Sequence, residues 1–187
     1  MAFEYDWFSH NIPTWEVLLA PLKDQPVNVL EIGSFEGRSA VWLLENILTH
    51  SESTLTCVDP FLTLTEPHVH DPLLEARFLS NISSWRERCK IYVGYSVKVL
   101  RTIPLVPTYD FIYIDGSHMA KDVLQDAVLA FPLLNPGGIM IFDDFGVQGE
   151  KDLSHPQKGV QAFIDVYAND IKVIYVSYQL ACIKNNV

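Results

Sequence analysis

Strand and helix patterns alternate along almost the whole chain, and this alternation predicts a doubly wound α/β domain, a mostly parallel sheet with helices on both faces. Two further observations sharpen the expectation. Five runs, 27–32 (VNVLEI), 54–58 (TLTCV), 90–93 (KIYV), 109–114 (YDFIYI) and 138–142 (GIMIF), are each short and apolar enough for a strand buried on both sides. The chain then closes on two strand-like runs, 171–176 (IKVIYV) and 178–184 (YQLACIK), with almost nothing between them. These should pair as an antiparallel hairpin, since there is no room for a crossover helix.

The helices follow from apolar spacing, taken in chain order. Trp15, Leu18, Leu19 and Leu22 form a stripe after Pro13, which predicts a short leading helix laid on the core. Ala40, Leu43, Leu44, Ile47 and Leu48 share one helical face, as do Val123, Leu124, Ala127, Val128 and Phe131. Leu74, Phe78, Ile82 and Trp85 make a looser stripe between them, and Val160, Phe163, Ile164 and Tyr167 make the last one. The pattern shows no internal repeat and no second domain, so 1–187 is expected to form one domain with 1–25 as its leading helical segment.

Composition bounds the partners. A chain of 187 residues with 49% apolar content can bury a real core, and 13 Lys+Arg against 23 Asp+Glu give a formal charge of −10. That field repels phosphate backbones and anionic lipid, so neither nucleic acid nor membrane is an expected partner. No apolar run approaches the roughly 18 residues of a membrane span, and MAFEYDWFSH lacks the basic start and apolar centre of a signal peptide. The expected compartment is therefore cytoplasmic. Cys57, Cys89 and Cys182 are odd in number and set mostly within apolar runs, which suits reduced core thiols.

In a doubly wound sheet, ligands sit beyond the carboxyl ends of the strands. The first strand runs there into EIGSFEG, whose Gly33 and Gly37 are spaced G-x-x-x-G and lack the further glycine of a dinucleotide fingerprint. With Phe35 and Glu36 in its middle and no P-loop lysine after it, this turn is poorly suited to phosphates. A cationic, phosphate-free nucleoside fits better. Glu31 could attract an ammonium or order the turn, and Asp59, ending the second strand, could accept both ribose hydroxyls. The pair points to S-adenosylmethionine; the alternative is that both acids only cap loops. After the third strand, Ser96 could meet an adenine edge and Tyr95 could pack on the ring, or either could simply start a helix.

The fourth and fifth strands end in acid. FIYIDGSH supplies Asp115 and His118, and GGIMIFDDF supplies Asp143 and Asp144. Adjacent strands lie about 5 Å apart, so these carboxylates can converge at one rim, where they repel unless protons or a cation intervene. An oxygen-rich cluster of this kind suits a hard ion such as magnesium, which lowers the pKa of a bound hydroxyl. His118 could then act as general base or orient an acceptor. The alternative is that the aspartates cap the loops that follow them, Asp115-Gly116 being a turn signal in its own right.

VNVLEIGSFEGRSAVWLLEN, the later TCVDPF, and above all YDFIYIDGSHMAKDVLQDAVLAFPLLNPGGIMIFDDF resemble the class I S-adenosylmethionine-dependent methyltransferases. The resemblance is to the small-molecule O-methyltransferase group that includes macrocin-type and caffeoyl-CoA-type enzymes, and it runs from about residue 25 to the end. It implies a Rossmann-like methyltransferase fold, a seven-stranded and mostly parallel sheet with an antiparallel last strand. It also implies methyl transfer from S-adenosyl-L-methionine to a hydroxyl of a small molecule, assisted by a divalent cation such as Mg2+.

Carried over by position, Glu31, Gly33, Gly37 and Ser39 line the methionine side of the cofactor, Asp59 its ribose and Ser96 its adenine. Asp115, Asp143 and Asp144 match the metal-binding acids, with Asp115 also facing the cofactor and, with His118, the reacting centre. Relatives often carry asparagine at the position of Asp144. Caffeoyl-CoA-type and catechol-type enzymes use a lysine base after the first acid, where this chain offers His118 and Lys121. A metal-independent enzyme with His118 as base and a non-catalytic cofactor-binding module are the alternatives. A nicotinamide oxidoreductase shares the fold but lacks the glycine spacing.

The acceptor is expected to meet the leading segment YDWFSHNIPTW and the loops 60–72 and 145–157. Trp7, Phe8, Trp15, His68, His70 and His155 are its candidate contacts, unless the aromatics only seal the core. With no inserted cap domain, a small acceptor is expected, reached directly or through a homo-oligomer interface.

Overall fold

The computed structural model describes residues 1–65, 68–147 and 154–186. β1 (Asn28–Ile32), β2 (Thr54–Asp59), β3 (Cys89–Val93), β4 (Tyr109–Ile114), β5 (Leu134–Phe142), β6 (Ile171–Val176) and β7 (Leu180–Lys184) form one sheet in the order β3-β2-β1-β4-β5-β7-β6. β1 to β5 run parallel, and β7 inserts antiparallel between β5 and β6. This is the Rossmann-like methyltransferase fold that the resemblance implies. Among the described residues no helix is long and apolar enough to cross a membrane.

Alternation along the strands divides the interior in two, as a pleat requires. Val29, Leu55, Cys57, Phe111, Tyr113 and Ile141 face one side, with α1 (Ile12–Leu18), α2 (Arg38–Asn46) and α3 (Pro72–Asn81) against them. Leu30, Ile32, Val58, Ile112, Met140 and Phe142 face the other, with α5 (Ala120–Ala130) and α6 (Pro156–Val166) packed over them. The three cysteines are free and buried in these layers, as core thiols should be.

Three elements differ from their sequence patterns. β5 begins at Leu134 because Leu134 already pairs with Tyr109, before a register shift between Tyr109 and Phe111. The run from 178 loses its first two residues to the hairpin, where the Ser177 amide donates to the Gln179 carbonyl at 2.8 Å. The looser stripe breaks after Asn81 into a 3-10 turn over Ser83–Arg88. A single-turn helix, α4 (Ser96–Val99), follows β3 and is too short for periodicity to show.

The leading segment is fastened by Trp15. Its indole is fully buried, meets the rings of Phe111 and Tyr113 edge-on at 5.4 and 4.7 Å, and donates its N–H to Gln179 Oε1 at 2.8 Å. One side chain thus joins α1, two central strands and the closing hairpin. Replacing Trp15 by Ala is expected to lower the unfolding free energy by about 3–5 kcal/mol, a large cavity plus an orphaned amide. Urea denaturation measures this, and an unchanged midpoint would show that α1 lies outside the cooperative unit.

Candidate active site

The chain leaves β1 toward β2 on one side and returns after β3 to β4 on the other, so the crevice of the sheet opens between β1 and β4. Gly33 sits at that crevice with φ +87°, and a Cβ there would stand 1.9 Å from the Asp115 carbonyl oxygen. Gly37, φ +83°, caps α2 against the Phe78 ring. The space that both glycines leave is taken by the protein's own neighbouring elements. Between them Phe35 adopts φ +47°, a conformation that costs a bulky residue free energy.

Glu31 fixes this turn from below. Its carboxyl is fully buried and accepts the hydroxyls of Ser34, at 2.6 Å, and Ser39, at 2.5 Å. It stands beneath the turn and takes hydroxyls rather than amides, and Ser39 spends its own hydroxyl on it. Burial, with a small addition from the charge of Asp59, pushes its pKa up to about 7, against the pull of the two serines. The amides of the turn go instead to Asp59, whose Oδ2 accepts from Ser34 and Phe35 at 2.7 and 2.8 Å while Oδ1 accepts from Phe61 at 2.6 Å. Oδ2 is thereby filled, and Oδ1 keeps one lone pair for a ligand, so the bidentate grip on two ribose hydroxyls expected from the sequence has no room.

A cleft of about 810 Å3 runs over these strand ends. Gly33, Ser39 and Asp59 line its middle, Tyr95, Ser96 and Asp126 one end, and Asp115 and His118 the rim between β4 and the N-terminal segment. Burial raises the Asp126 pKa to about 6 against the pull of Ser96, and Tyr95 bonds through its hydroxyl to His68 Nδ1 at 2.8 Å.

At the rim, the ladder carries Asp115 and Asp143 one step past β4 and β5, the Asp143 amide donating to the Ile114 carbonyl at 3.0 Å. The Tyr113 hydroxyl lies 2.9 Å from Asp115 Oδ2 and 2.6 Å from Asp143 Oδ2. One phenolic proton serves only one of them at a time. Burial first, and then the charges of Asp143 and Asp144, hold the Asp115 pKa well above the carboxylate range; burial raises Asp143 too. Asp144 goes the other way. Burial opposes its ionisation, but hydrogen bonds from His118 and Tyr178 win and lower its pKa. His118 Nε2 lies 2.8 Å from Asp144 Oδ2 with its side chain 74% exposed, and that bond raises the imidazole's pKa.

The ligand atoms that come together, all within 4.8 Å, belong to Asp115, His118 and Asp144. Asp143 is turned inward, to Tyr113, to the Gln179 amide at 3.1 Å and to its neighbour's N–H at 3.0 Å. The cation trio expected from the sequence is thus rearranged, with His118 in the place of Asp143.

Residues 30–145 match the family model for a methyltransferase domain. The chain belongs to this methyltransferase family. An uncharacterised protein of Acanthamoeba polyphaga mimivirus is 26% identical over 132 residues, 70% of this chain and 57% of its own length, so the chain spans little more than half of that relative. Among solved structures, the O-methyltransferase from Bacillus cereus in complex with SAH gives a TM-score of 0.74 at 19% identity, covering 97% of this chain and 84% of that one. MycE, a methyltransferase from the mycinamycin biosynthetic pathway solved with Mg and SAH, gives 0.63 at 14%, covering 98% of this chain and 51% of its own.

Burial sorts the other candidates. Trp7 stacks on Phe35 at 4.8 Å along the mouth of the cleft, and Phe8 lines it from below. Trp15 belongs to the core, His70 pairs with Glu75 at 2.8 Å, and His155 caps α6 through Nδ1. Residues 66–67 and 148–153 of the two candidate loops lie outside the described residues.

Sequence reasoning missed Asp126, Tyr113, Gln179 and Tyr178. One signal was available: Asp126 falls on the same helical stripe as Val123, Ala127 and Ala130, an acid where an apolar residue belongs.

Because the Glu31 pKa is raised on folding, the folded methyltransferase keeps a proton that the unfolded chain gives up, and stability falls as pH rises from 4.5 to about 7. Relative to Glu31→Gln, the wild type should lose about 3 kcal/mol across that window. Paired denaturation curves read this. A parallel pH dependence in the two proteins would mean that Glu31 is ionised throughout.

Proposed function

We propose that this protein transfers a methyl group from S-adenosylmethionine to a hydroxyl of a small molecule, with a divalent cation held at the rim. The observation that carries the reading is one cleft that joins the Gly33 turn and Asp59 to Asp115 and His118, whose ligand atoms lie within 4.8 Å of one another and of Asp144. The family match supports the methyl transfer, and the solved relatives with SAH, and in one case Mg, support the ligands.

The donor set fits a hard cation. Two carboxylates and an imidazole converge, and burial with the charges of Asp143 and Asp144 raises the Asp115 pKa against the hydrogen bond from Tyr113, a repulsion that a cation would relieve. S-adenosylmethionine supplies an electrophilic methyl group on a sulfonium, and a divalent ion, when bound, lowers the pKa of an acceptor hydroxyl. Asp115 and Asp144 would hold the ion, and Asp59 would accept from a ribose hydroxyl through Oδ1. His118 donates Nε2–H to Asp144, which orients the ring and leaves Nδ1 to take a proton from the acceptor. Tyr5, Trp7 and Phe35 wall the cleft with stacked and tilted rings. The His118–Asp144 pair also supports a second reading, in which this dyad works as base without a metal.

Calorimetric titration with S-adenosylhomocysteine should give micromolar binding in magnesium and in chelator alike. Absence of binding in both buffers would remove the cofactor reading. For the cation, Mn2+ followed by electron paramagnetic resonance should bind the wild type with a defined stoichiometry and lose at least tenfold in affinity in Asp144→Ala. Equal, weak Mn2+ uptake by both proteins would select the metal-independent dyad.

A further inference from the structure

One wall of the cleft belongs to residues 2–9, a segment ahead of α1 that the body holds largely by polar contacts. Its rings Tyr5 and Trp7 line the cleft, and Trp7 stacks on Phe35 of the turn at 4.8 Å. Phe8 anchors the near end, buried with its ring edge-on to Trp15 at 4.8 Å. The residues before it are fastened differently. The Ala2 amide donates to Asn81 Oδ1 at 2.8 Å, and its carbonyl accepts from Asn81 Nδ2 at 3.0 Å. Glu36 Oε2 accepts the amides of Glu4 and Tyr5 at 2.8 and 3.2 Å. Arg38 pairs with Asp6 and donates to the Ser9 hydroxyl, each at 2.9 Å, with its guanidinium over the partly buried Phe3 ring.

Arg77, on α3, completes this set. It reaches Glu36 through Nη1 and Glu4 through Nη2, the latter at 2.6 Å. The Glu36 side chain is 1% exposed and that of Glu4 61%, so one cation joins a buried acid of the turn to an exposed acid of the segment. A planar guanidinium can serve two carboxylates at once, whereas an ammonium offers a single point of charge. Glu36 is tied a second time through its carbonyl, which accepts from Asn81 Nδ2 at 2.9 Å. The turn under the cleft and the wall beside it therefore share their fastenings. Exposed ion pairs hold weakly and are screened by salt, so residues 2–7 can swing away while Phe8 stays in the core. A ligand that touches the Tyr5 and Trp7 rings gains those contacts only in the closed form and shifts the segment toward it.

We infer that Arg77 is a positioning residue of the cofactor site, which holds residues 2–7 closed along the cleft and thereby slows the departure of S-adenosylmethionine. The inference rests on the cofactor reading above and adds to it a residue that acts through others. Arg77 works on Glu36 and Glu4, and its effect arrives at the cofactor by way of Tyr5 and Trp7. Coupling of this kind is reciprocal: if closure retains the cofactor, the cofactor protects the segment.

Two measurements on the whole chain test this, with S-adenosylhomocysteine as the ligand. In stopped-flow displacement, Arg77→Ala should release it about tenfold faster than the wild type, a change within the usual range of coupling between sites. Glu4→Ala alters the segment and leaves the turn intact; it should speed release about threefold, the scale of an exposed ion pair, and decides the matter if Arg77→Ala does not fold. Arg77→Lys should fall between the wild type and Arg77→Ala. In the second measurement, chymotrypsin should cut the wild type after Tyr5 or Trp7 more slowly when the ligand is bound, and this protection should shrink in Arg77→Ala. A lower urea midpoint in Arg77→Ala without faster release would make the residue structural only. Wild-type release rates in both alanine variants, or one cleavage rate with and without ligand, overturn the role of Arg77 and leave the cofactor reading standing. If the wild type binds no S-adenosylhomocysteine in magnesium or in chelator, that reading fails and this one falls with it.

Discussion

Asp115, Asp143 and Asp144 are forced together by the sheet itself, since β4 and β5 are adjacent, in register, and each ends in acid. Three negative charges at that spacing repel strongly in a partly buried site, and the surroundings answer the repulsion. Tyr113 rises from the strand below to stand between two of the carboxyls, Gln179 and Tyr178 come in from the closing hairpin, and His118 takes the outermost. The result is a gradient. The innermost acids are pushed toward their neutral forms, and Asp144, nearest solvent and the imidazole, is held ionised.

The opposite half of the cleft follows another logic, in which burial is offset by short-range donors. Glu31 is dry and satisfied by hydroxyls, while Asp59, two strand positions away in function but on the neighbouring strand, gathers the amides of the same turn. The two acids hold one loop from below and from the side. This arrangement keeps Phe35 in its left-handed conformation, and Phe35 in turn gives Trp7 a surface on which to stack. Glu36 extends the fastening outward, accepting the amides of Glu4 and Tyr5 and pairing with Arg77. The wall of the cleft and its floor are thus tied through three consecutive residues of one turn.

Much of this was legible in the sequence, for identifiable reasons. Strands buried on both faces leave unbroken apolar runs, and their ends are marked by the first polar residue, which is how Asp59, Asp115 and Asp143 could be placed at the carboxyl rim. Gly33 and Gly37 could be recognised, but not what fills the space beside them, because the Asp115 carbonyl and the Phe78 ring arrive from distant segments. The exchange of Asp143 for His118 in the group that converges was hidden for the same reason: it depends on Tyr113 and Gln179, which no local pattern links to it. Asp126 was visible as an anomaly on an apolar stripe of α5.

The position of β7 bears on how the chain acquires this site. β7 follows β6 in the chain, yet it lies between β5 and β6, so β6 has no place in the sheet until residues through Lys184 are available. A growing chain can assemble β1 to β5 and its helices, but it then presents an open edge at β5 and an acid cluster without Gln179 or Tyr178. During that interval the nascent domain is both sticky and electrostatically uncompensated. Closure of the hairpin covers the β5 edge and brings Gln179 and Tyr178 to the acids in one step.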